Sequence, residues 1–363
     1  MMDWTDRHCR TLHRLITRHT RLYTEMVTTG ALLHSDVPRH LDFNPDEHPL
    51  ALQLGGSEPA DLAACARLAQ QWGYDEVNLN CGCPSERVQR GAFGACLMNE
   101  AALVGDCVDA MRQACTLPVT VKHRIGIDRV ESYDFVRDFV GTVNRRGGCT
   151  VFIVHARNAW LKGLSPGAPE LPAGAPATAA STAQAPGRAL TPKENREVPP
   201  LRYDMAYRLK ADFPQFTIVL NGGVSSNEQI AAHLLHVDGV MVGRQAYHEP
   251  WLMASWDSRF LGSTAEPPQR DEVEAAYVAY LTRVAATSNR GWSHASRHLV
   301  GLRHGQAGAR RWRQVWSDPG LRAATPAATS LLARQCLGAA TPIHAHVERQ
   351  PLQHHRTAST SPH

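Results

Sequence analysis

The sequence has no apolar run that approaches the roughly eighteen residues needed to span a bilayer. Its first ten residues, MMDWTDRHCR, are charged from Asp3 onward and include no apolar signal-peptide region. Of its 363 residues, 43% are hydrophobic and 20% are charged, a composition that can form a sizeable core in one large domain plus a smaller one. We therefore expect a cytoplasmic protein with no membrane association, acting as a monomer.

Lysine is scarce as well, with only four in the chain, so arginine supplies most of the positive charge. Between residues 290 and 334, eight arginines accompany a single acid, Asp318, and three tryptophans lie among them. Arginines mixed with aromatic residues on one segment suit a phosphate-rich partner such as a nucleic acid. The alternative is the ordinary surface of a protein that uses arginine almost everywhere, and at this stage the two interpretations have about equal weight.

The nine cysteines follow no regular frame, which favours reduced thiols over a disulfide scaffold. Cys81 and Cys83 form a C-x-C pair, but no second pair supplies the remaining ligands of a structural zinc, so we expect no metal. A disulfide between these two would be strained. Cys96 follows in the glycine-rich stretch GAFGACLM. It could be a nucleophile, a proton donor or a small buried hydrophobe, and composition alone favours the last.

Seven short β-rich runs are present, each followed by a stretch long enough for a helix. The runs cover residues 22–26, 50–54, 76–80, 119–122, 151–155, 216–221 and 239–243. This alternation predicts parallel βαβ units, and the even, buried runs favour a TIM (β/α)8 barrel over a doubly wound sheet. Counting back from 22–26 puts the first barrel strand before Met1. We expect that strand to be missing, unless another segment fills its place.

Nearly every predicted strand ends in a polar residue. These residues are Glu25, Gln53, Asn80, Lys122, His155 and Asn221. The carboxyl ends of barrel strands converge on one face, where active sites are built, so together they predict a site. The last two strands end in Asn221-Gly222-Gly223 and Gly243-Arg244, where backbone N–H groups and a guanidinium suit a phosphate.

Composition divides the chain into segments. The barrel is predicted at 1–165 and 192–261. Residues 166–191, rich in proline and alanine, cannot bury enough surface to order themselves and predict a flexible insertion. Helical patterns from 262 to 330 predict a small all-helical domain that carries the arginines. We expect 331–363 to be a disordered tail.

Several blocks, read in order, resemble the tRNA-dihydrouridine synthases of subfamily A. They include DWTDRHCR, YTEMVTTGA, NLNCGCPS, GACLM, VKHRIGID, HARNAWLKGLSP, PKENREVPPL and DGVMVGRQAY. The resemblance implies an FMN enzyme, reduced by NADPH, that converts uridine to 5,6-dihydrouridine at positions 20 and 20a of the tRNA D-loop. Hydride from the reduced flavin would reach uracil C6, and a proton would reach C5.

The resemblance also implies roles for single residues. The cysteine of the GAC block, Cys96, would give the proton. FMN would be contacted by Met1, Gln53, Lys122, His155, Asn221, Gly222, Gly223, Gly243 and Arg244. The uracil and the rest of the tRNA would be contacted by Asn80, Phe93, Lys193, Arg196, Arg310 and Arg313. Cys83 would shape the loop in which it lies.

Two alternatives stay open. One is a flavin barrel that acts on a free pyrimidine or enone, although a small substrate would not need an arginine-rich helical domain. The other is a catalytically inactive tRNA-binding relative that has lost flavin binding with its first strand. The insertion at 166–191 also separates HARNAWLKGLSP from PKENRE, which are contiguous in relatives.

Overall fold

The computed structural model describes residues 1–85, 88–89, 91–130, 132–161, 190–289 and 291–337. The predicted insertion, apart from residues 190 and 191, and the tail beyond 337 lie outside these ranges. Among the described residues, no helix has the length and apolar character required to cross a bilayer.

Seven parallel strands form one sheet, and each strand pairs with the next along the chain. The strands are β1 Leu22–Thr28, β2 Leu50–Gly55, β3 Glu76–Cys81, β4 Val119–Arg124, β5 Val151–His155, β6 Thr217–Asn221 and β7 Gly239–Met241. Every one overlaps a predicted run, so the expected barrel order is confirmed. Across the described residues β1 and β7 have no strand pairing with each other, which agrees with the expected missing strand.

Helices follow the strands, as βαβ connections require. The helices of the barrel are α1 Arg7–Ile16, α2 Thr29–His34, α3 Val37–Leu41, α4 Pro59–Trp72, α5 Ala101–Ala114, α6 Tyr133–Gly147, α7 Tyr203–Asp212, α8 Asn227–His233, α9 Arg244–His248 and α10 Trp256–Phe260. Helix α4 begins with a proline in its first turn and ends at Gly73, whose φ of 84° is left-handed. These are the usual start and stop signals of a helix.

Strand β3 shows how the barrel separates polar from apolar side chains. Val77 and Leu79 are fully buried in the hydrophobic core, whereas Glu76 and Asn80, on the alternate positions, line the central cavity. This period-2 alternation follows from strand geometry. A barrel interior is usually filled by branched apolar residues, so the polar interior of β3 marks this barrel as unusual.

One buried residue of β4 lacks a full set of hydrogen-bond partners among the described residues. His123 on β4 donates from Nδ1 to Arg124 O at 2.7 Å, whereas its buried Nε2 has no hydrogen-bond partner among the described residues. Phe139 and Phe152 pack against its ring. Burial lowers the pKa of His123 to about 4, so the ring is neutral near pH 7.

The chain after the barrel is helical, as predicted, with α11 Arg270–Thr287, α12 Ser293–Ser296, α13 Ala309–Trp316 and α14 Pro326–Arg334. Residues 297–308 are less regular: α12 stops at 296, and a 3₁₀ turn, Leu299–Gly301, follows. Gly301 packs closely against the barrel, because a Cβ on it would stand 2.5 Å from His248 O.

The predicted tail boundary at 331 is wrong. Helix α14 continues to Arg334 and is capped at its start, where Thr325 Oγ1 accepts a hydrogen bond from Ala328 N at 3.2 Å. Pro326 occupies the first helical position, and Ala333 is fully buried. A capped helix with a buried face is stable without large apolar residues, which the composition alone did not indicate.

Candidate active site

A cavity of about 1760 Å³ opens at the carboxyl ends of the strands and extends down the barrel interior. Its wall includes all six polar strand ends predicted from the sequence, namely Glu25, Gln53, Asn80, Lys122, His155 and Asn221. In a parallel barrel the carboxyl ends of all strands lie on one face, so these side chains converge on one cavity. Met1, Phe93, Arg196, Gly222, Gly223, Gly243 and Arg244 also line it.

Lys122 and His155 face the cavity from neighbouring strands, β4 and β5. Among the described residues, neither side chain has a hydrogen-bond partner. Burial, and after it the nearby charge of Arg124, lowers the pKa of Lys122 to about 8. Burial also holds the pKa of His155 well below its usual value, and the positive charges of Arg124 and Lys122 lower it as well. The cavity therefore presents an ammonium and a neutral imidazole that no described residue satisfies with a hydrogen bond.

The loops after β6 and β7 lie side by side, because Asn221 pairs in register with Met241. Asn221 Nδ2 also donates to Met241 O at 2.7 Å, so its amide ties the two strands together. Gly222 has a φ of 118°, and a Cβ there would stand 2.7 Å from His155 Cδ2. Only glycine fits such a conformation at this distance, which leaves the backbone open to an approaching group.

Gly243 and Arg244 complete this corner of the cavity. A Cβ on Gly243 would meet only Met1 Sδ, at 3.9 Å, so space remains beside its backbone. Arg244 Nη1 forms an ion pair with Glu197 Oε1 at 2.8 Å, which holds the guanidinium at the cavity rim. The N-terminal amine of Met1 donates to Thr5 Oγ1 at 2.6 Å, and burial lowers its pKa to about 6.

The loop that follows β3 is organised by Asn80. Its Oδ1 accepts hydrogen bonds from Gly82 N at 3.0 Å and Cys83 N at 2.9 Å. The loop then folds back, so that Ala95 N donates to Cys83 O at 3.0 Å. Gly94 has a φ of 77°, and a Cβ there would lie 2.7 Å from Cys83 O. Asn80 thus anchors the loop, in addition to any contact with a substrate.

This loop gives Cys83 and Cys96 different surroundings. Cys83 is half-buried, lines the cavity, and is close enough to influence the pKa values of Lys122, Arg124 and Arg196. Cys96 is absent from the described cavity wall, and its Sγ donates to Phe93 O at 3.1 Å. Burial raises the pKa of the Cys96 thiol. Of the two thiols, only that of Cys83 belongs to the described cavity wall, whereas the sequence analysis selected Cys96.

Arg124 connects three loops at the mouth and was missed by the sequence reasoning. It is 2% exposed, and its Nε donates to Gly82 O at 3.0 Å. Its Nη1 donates to Asn158 O at 2.8 Å and to Asn195 O at 2.9 Å. The pattern that could have identified Arg124 is the period-2 alternation on β4, which turns residues 120, 122 and 124 toward the cavity. Arg124 thereby joins the Cys83 loop to the PKENRE segment.

Arg196 and Lys193 of that segment differ in position. Arg196 lines the cavity, its buried Nε has no hydrogen-bond partner, and burial lowers its pKa. Lys193 is exposed and lies outside the cavity wall described here. Arg196 is thus placed to meet a group in the cavity, whereas Lys193 could only meet one outside it.

The arginine-rich segment is less uniform than its sequence suggests. Its tryptophans do not accompany the arginines to the surface, because Trp292, Trp312 and Trp316 are buried and pack against one another. Arg303 is buried in an ion pair, and Arg290 lies outside the described residues. Arg297 and Arg334 form ion pairs with Asp6 and Glu274. The arginines left for an external partner are then the exposed Arg310, Arg311 and Arg322 and the half-buried Arg313.

The site residues fit a bound flavin mononucleotide. An unpartnered ammonium and imidazole can contact a polar ring edge, and the glycine loops beside Arg244 suit a phosphate. Within the described part of the chain, no group of three or more His, Cys, Asp or Glu side chains is arranged to hold a metal ion.

Comparison with known proteins identifies the family of the chain. The family model for dihydrouridine synthase (Dus) matches residues 1–333. A tRNA-dihydrouridine(20/20a) synthase of Pseudomonas putida is 54% identical over 328 residues, covering 90% of this chain and 89% of its own. The Vibrio parahaemolyticus protein of the same name is 53% identical, with 88% and 89% covered. Among solved structures, morphinone reductase aligns at a TM-score of 0.42 and 13% identity over 75% of this chain and 85% of its own, too distant to carry an argument. The chain belongs to the dihydrouridine synthase family.

Proposed function

We propose that this protein reduces uridine to 5,6-dihydrouridine at positions 20 and 20a of tRNA, with FMN as its cofactor and NADPH as the reductant. Family membership and the names of the relatives support the reaction. The observation that carries it is one cavity whose wall holds the unpartnered Lys122 and His155 together with the thiol of Cys83.

In this proposal Gln53, Lys122 and His155 contact the flavin ring, while Gly222, Gly223, Gly243 and Arg244 hold its phosphate. Met1 and Asn221 complete the wall. Reduced FMN supplies the hydride that reaches C6 of the uracil. The Lys122 ammonium stabilises negative charge at the polar edge of the ring, because an opposite charge in a partly desolvated cavity interacts strongly.

The second half of the reaction is a proton transfer to C5, and we assign it to Cys83. As the C5–C6 double bond is saturated, the Cys83 thiol gives its proton to C5, and the resulting thiolate regains a proton from solvent. A thiol can act as a general acid because its pKa is near the working pH. Asn80 and Arg124 hold the loop that carries Cys83, and Phe93 and Arg196 are positioned to contact the extruded nucleotide.

The test of this function begins with the visible absorbance spectrum of the purified protein and identification of any chromophore released by heat. Bound FMN, followed by dihydrouridine formation in tRNA but not from free uridine, is the expected result. Turnover of free uridine or an enone would instead indicate a small-molecule reductase. A colourless protein that binds tRNA but takes up no added FMN would indicate an inactive relative.

The pKa of Lys122 predicts how FMN affinity depends on pH. The ammonium is charged below a pKa of about 8 and neutral above it, so we expect the affinity of the apoprotein for FMN to fall about tenfold as pH rises from 7 to 9. Fluorescence titration measures this. Lys122→Met should bind FMN weakly and lose this pH dependence, whereas Lys210→Met, a lysine paired with Asp238 at 2.9 Å, should keep it. A wild-type affinity that is flat across pH 8 would contradict the role of Lys122.

Arg310 and Arg313 lie three residues apart on α13, opposite the buried Trp312 and Trp316. If they contact tRNA phosphates, the double variant Arg310→Ala/Arg313→Ala should weaken tRNA binding and reduce the slope of log K against log salt by about 1.5 to 2. Binding titrations at several salt concentrations measure the slope. Arg137→Ala/Arg145→Ala, on the outer face of α6, is the matched control. An unchanged slope in the α13 variant would place the tRNA elsewhere.

A further inference from the structure

A chain of hydrogen bonds crosses three strands in one layer of the barrel interior. Gln53 on β2 pairs in register with Asn78 on β3, and Asn78 pairs with Thr120 on β4. Gln53 Nε2 donates to Asn78 Oδ1 at 2.8 Å, and Asn78 Nδ2 donates to Thr120 Oγ1 at 2.8 Å. Asn78 is 0% exposed and Thr120 is 1% exposed. Buried amides cost stability unless all their hydrogen bonds are made, so this layer needs an explanation.

The chain continues along β3 in both directions. Towards the bottom of the barrel, Thr120 Oγ1 donates to Glu76 Oε1 at 2.6 Å. Arg21 and Tyr23 donate to the same carboxylate. Towards the mouth, Asn80 Nδ2 donates to Gln53 Oε1 at 2.8 Å. The chain therefore runs from an ion pair at the bottom of the barrel to the loop that carries Cys83.

Both ends of the chain have a fixed direction. The backbone N–H groups of Gly82 and Cys83 can only donate, so Asn80 must offer them its oxygen and must turn its NH₂ toward Gln53. The Glu76 carboxylate, paired with Arg21, can only accept, so Thr120 must donate to it and accept from Asn78. The orientations of the Asn80, Gln53 and Asn78 amides can be worked out from either end of the chain, and both ends give the same orientations.

Gln53 lies in the middle of this chain, and its amide cannot turn over alone. A turned Gln53 would place its NH₂ against the NH₂ of Asn80 and its oxygen against the Asn78 oxygen. With one N–H given to Asn78 and one lone pair taken by Asn80, a single N–H and a single lone pair remain for the cavity. The orientation in which the Gln53 amide meets a bound molecule is thus determined by its hydrogen-bonded neighbours in the barrel interior.

We propose that Asn78 and Thr120 are positioning residues that act through Gln53: they fix the orientation in which its amide meets the flavin, and through Asn80 they fix the Cys83 loop. The contact between Gln53 and flavin rests on the proposed function. The effect on the loop rests only on contacts within the chain, so the two can be tested separately.

Thr120→Val is the decisive substitution, because valine keeps the shape and removes the hydroxyl. Asn78 Nδ2 then has no acceptor. If the Asn78 amide turns over, its NH₂ faces the NH₂ of Gln53. If Gln53 turns as well, its NH₂ faces the NH₂ of Asn80. Thr120→Ser, which keeps the hydroxyl, is the rescue variant. Tyr23→Phe is the matched control, because it removes another donor to Glu76, at 2.9 Å, that lies outside the path to Gln53.

We would measure FMN affinity and, in the apoprotein, amide hydrogen exchange of a peptide that contains Gly82 and Cys83. Thr120→Val should weaken FMN binding about fivefold, the effect of one ordinary hydrogen bond, and should speed exchange at both amides. Thr120→Ser and Tyr23→Phe should match the wild type. In a Gln53→Ala background, Thr120→Val should have no further effect on FMN affinity, because the Gln53 amide through which Thr120 acts is already absent.

Two results would overturn the proposal. One is a Thr120→Val effect on FMN affinity that simply adds to that of Gln53→Ala. The other is exchange at Gly82 and Cys83 that Thr120→Val leaves unchanged. If the wild type takes up no FMN, the proposed function fails, and the exchange measurement alone decides the inference. If Thr120→Val does not fold, Thr120→Ala carries the same comparison, with Thr120→Ser as its rescue.

Discussion

Replacing Cys83 by alanine is expected to slow dihydrouridine formation by ~10²- to 10⁴-fold, the range that general-acid catalysis contributes. FMN should stay bound, because the residues proposed to hold it lie on β2, β4 and β5 and in the loops after β6 and β7. Among the described residues, the one side-chain hydrogen bond of Cys83 is from Sγ to Ser85 Oγ, at 3.7 Å, so truncation should also leave the loop folded. Single-turnover reduction of tRNA, followed by quantification of dihydrouridine, measures the change.

Cys96→Ala is the matched comparison, since both thiols lie on the same loop and only Cys83 lines the cavity. We expect it to change turnover less than about tenfold, through the lost hydrogen bond from Sγ to Phe93 O, which measures 3.1 Å. The reverse pattern, with Cys96→Ala slow and Cys83→Ala fast, would restore the role that the resemblance implied for Cys96. It would also require the loop to rearrange when tRNA binds.

Replacing Glu274 by alanine should lower the free energy of unfolding by about 3–5 kcal/mol, because it removes the buried carboxylate that pairs with Arg303 and leaves that buried guanidinium only the exposed carboxylate of Asp271. Glu274 on α11 is fully buried, and its Oε2 accepts from Arg303 Nε at 2.9 Å. Its Oε1 accepts from Trp312 Nε1 and Ser330 Oγ, both at 3.3 Å, so one carboxylate joins α11 to α13 and α14. Denaturant unfolding, followed by tryptophan fluorescence, reports the loss.

The double variant Glu274→Leu/Arg303→Met is the control for this prediction. It removes both charges together and should regain most of the lost stability, because replacing a buried ion pair by apolar residues is often neutral. Equal destabilisation by the single and double variants would mean that packing, rather than an uncompensated charge, sets the cost. A loss below about 1 kcal/mol for Glu274→Ala would contradict the central role of this carboxylate.

Much of the fold could be predicted because its signals are local. Runs such as EVNLN and VFIVH are short, buried and bounded by helix-length segments, and each became a strand. The convergence of strand ends such as Lys122 and His155 on one cavity followed from a general rule of parallel barrels. The boundary of the tail at 331 failed because the helix that crosses it depends on capping, which composition does not report.

The site was less predictable than the fold. Cys83 and Cys96 are separated by a loop whose path depends on hydrogen bonds to Asn80 and on a left-handed glycine, Gly94. Spacing along the chain does not determine which of two thiols such a loop turns toward the cavity. Asn78, Thr120 and Arg124 were missed because their importance lies in partners on other strands and loops.

The sequence by itself determined the strand order, the position of the cavity and the family, because these depend on periodicity, on the chirality of βαβ units and on contiguous motifs. Only the tertiary structure decided which arginines remain exposed, which cysteine lines the cavity and how the amide of Gln53 is oriented. These features depend on contacts between residues far apart in the chain, such as that of Trp312 with Glu274 or of Arg124 with Asn195. Burial and hydrogen-bond direction are properties of such contacts, and no single segment contains them.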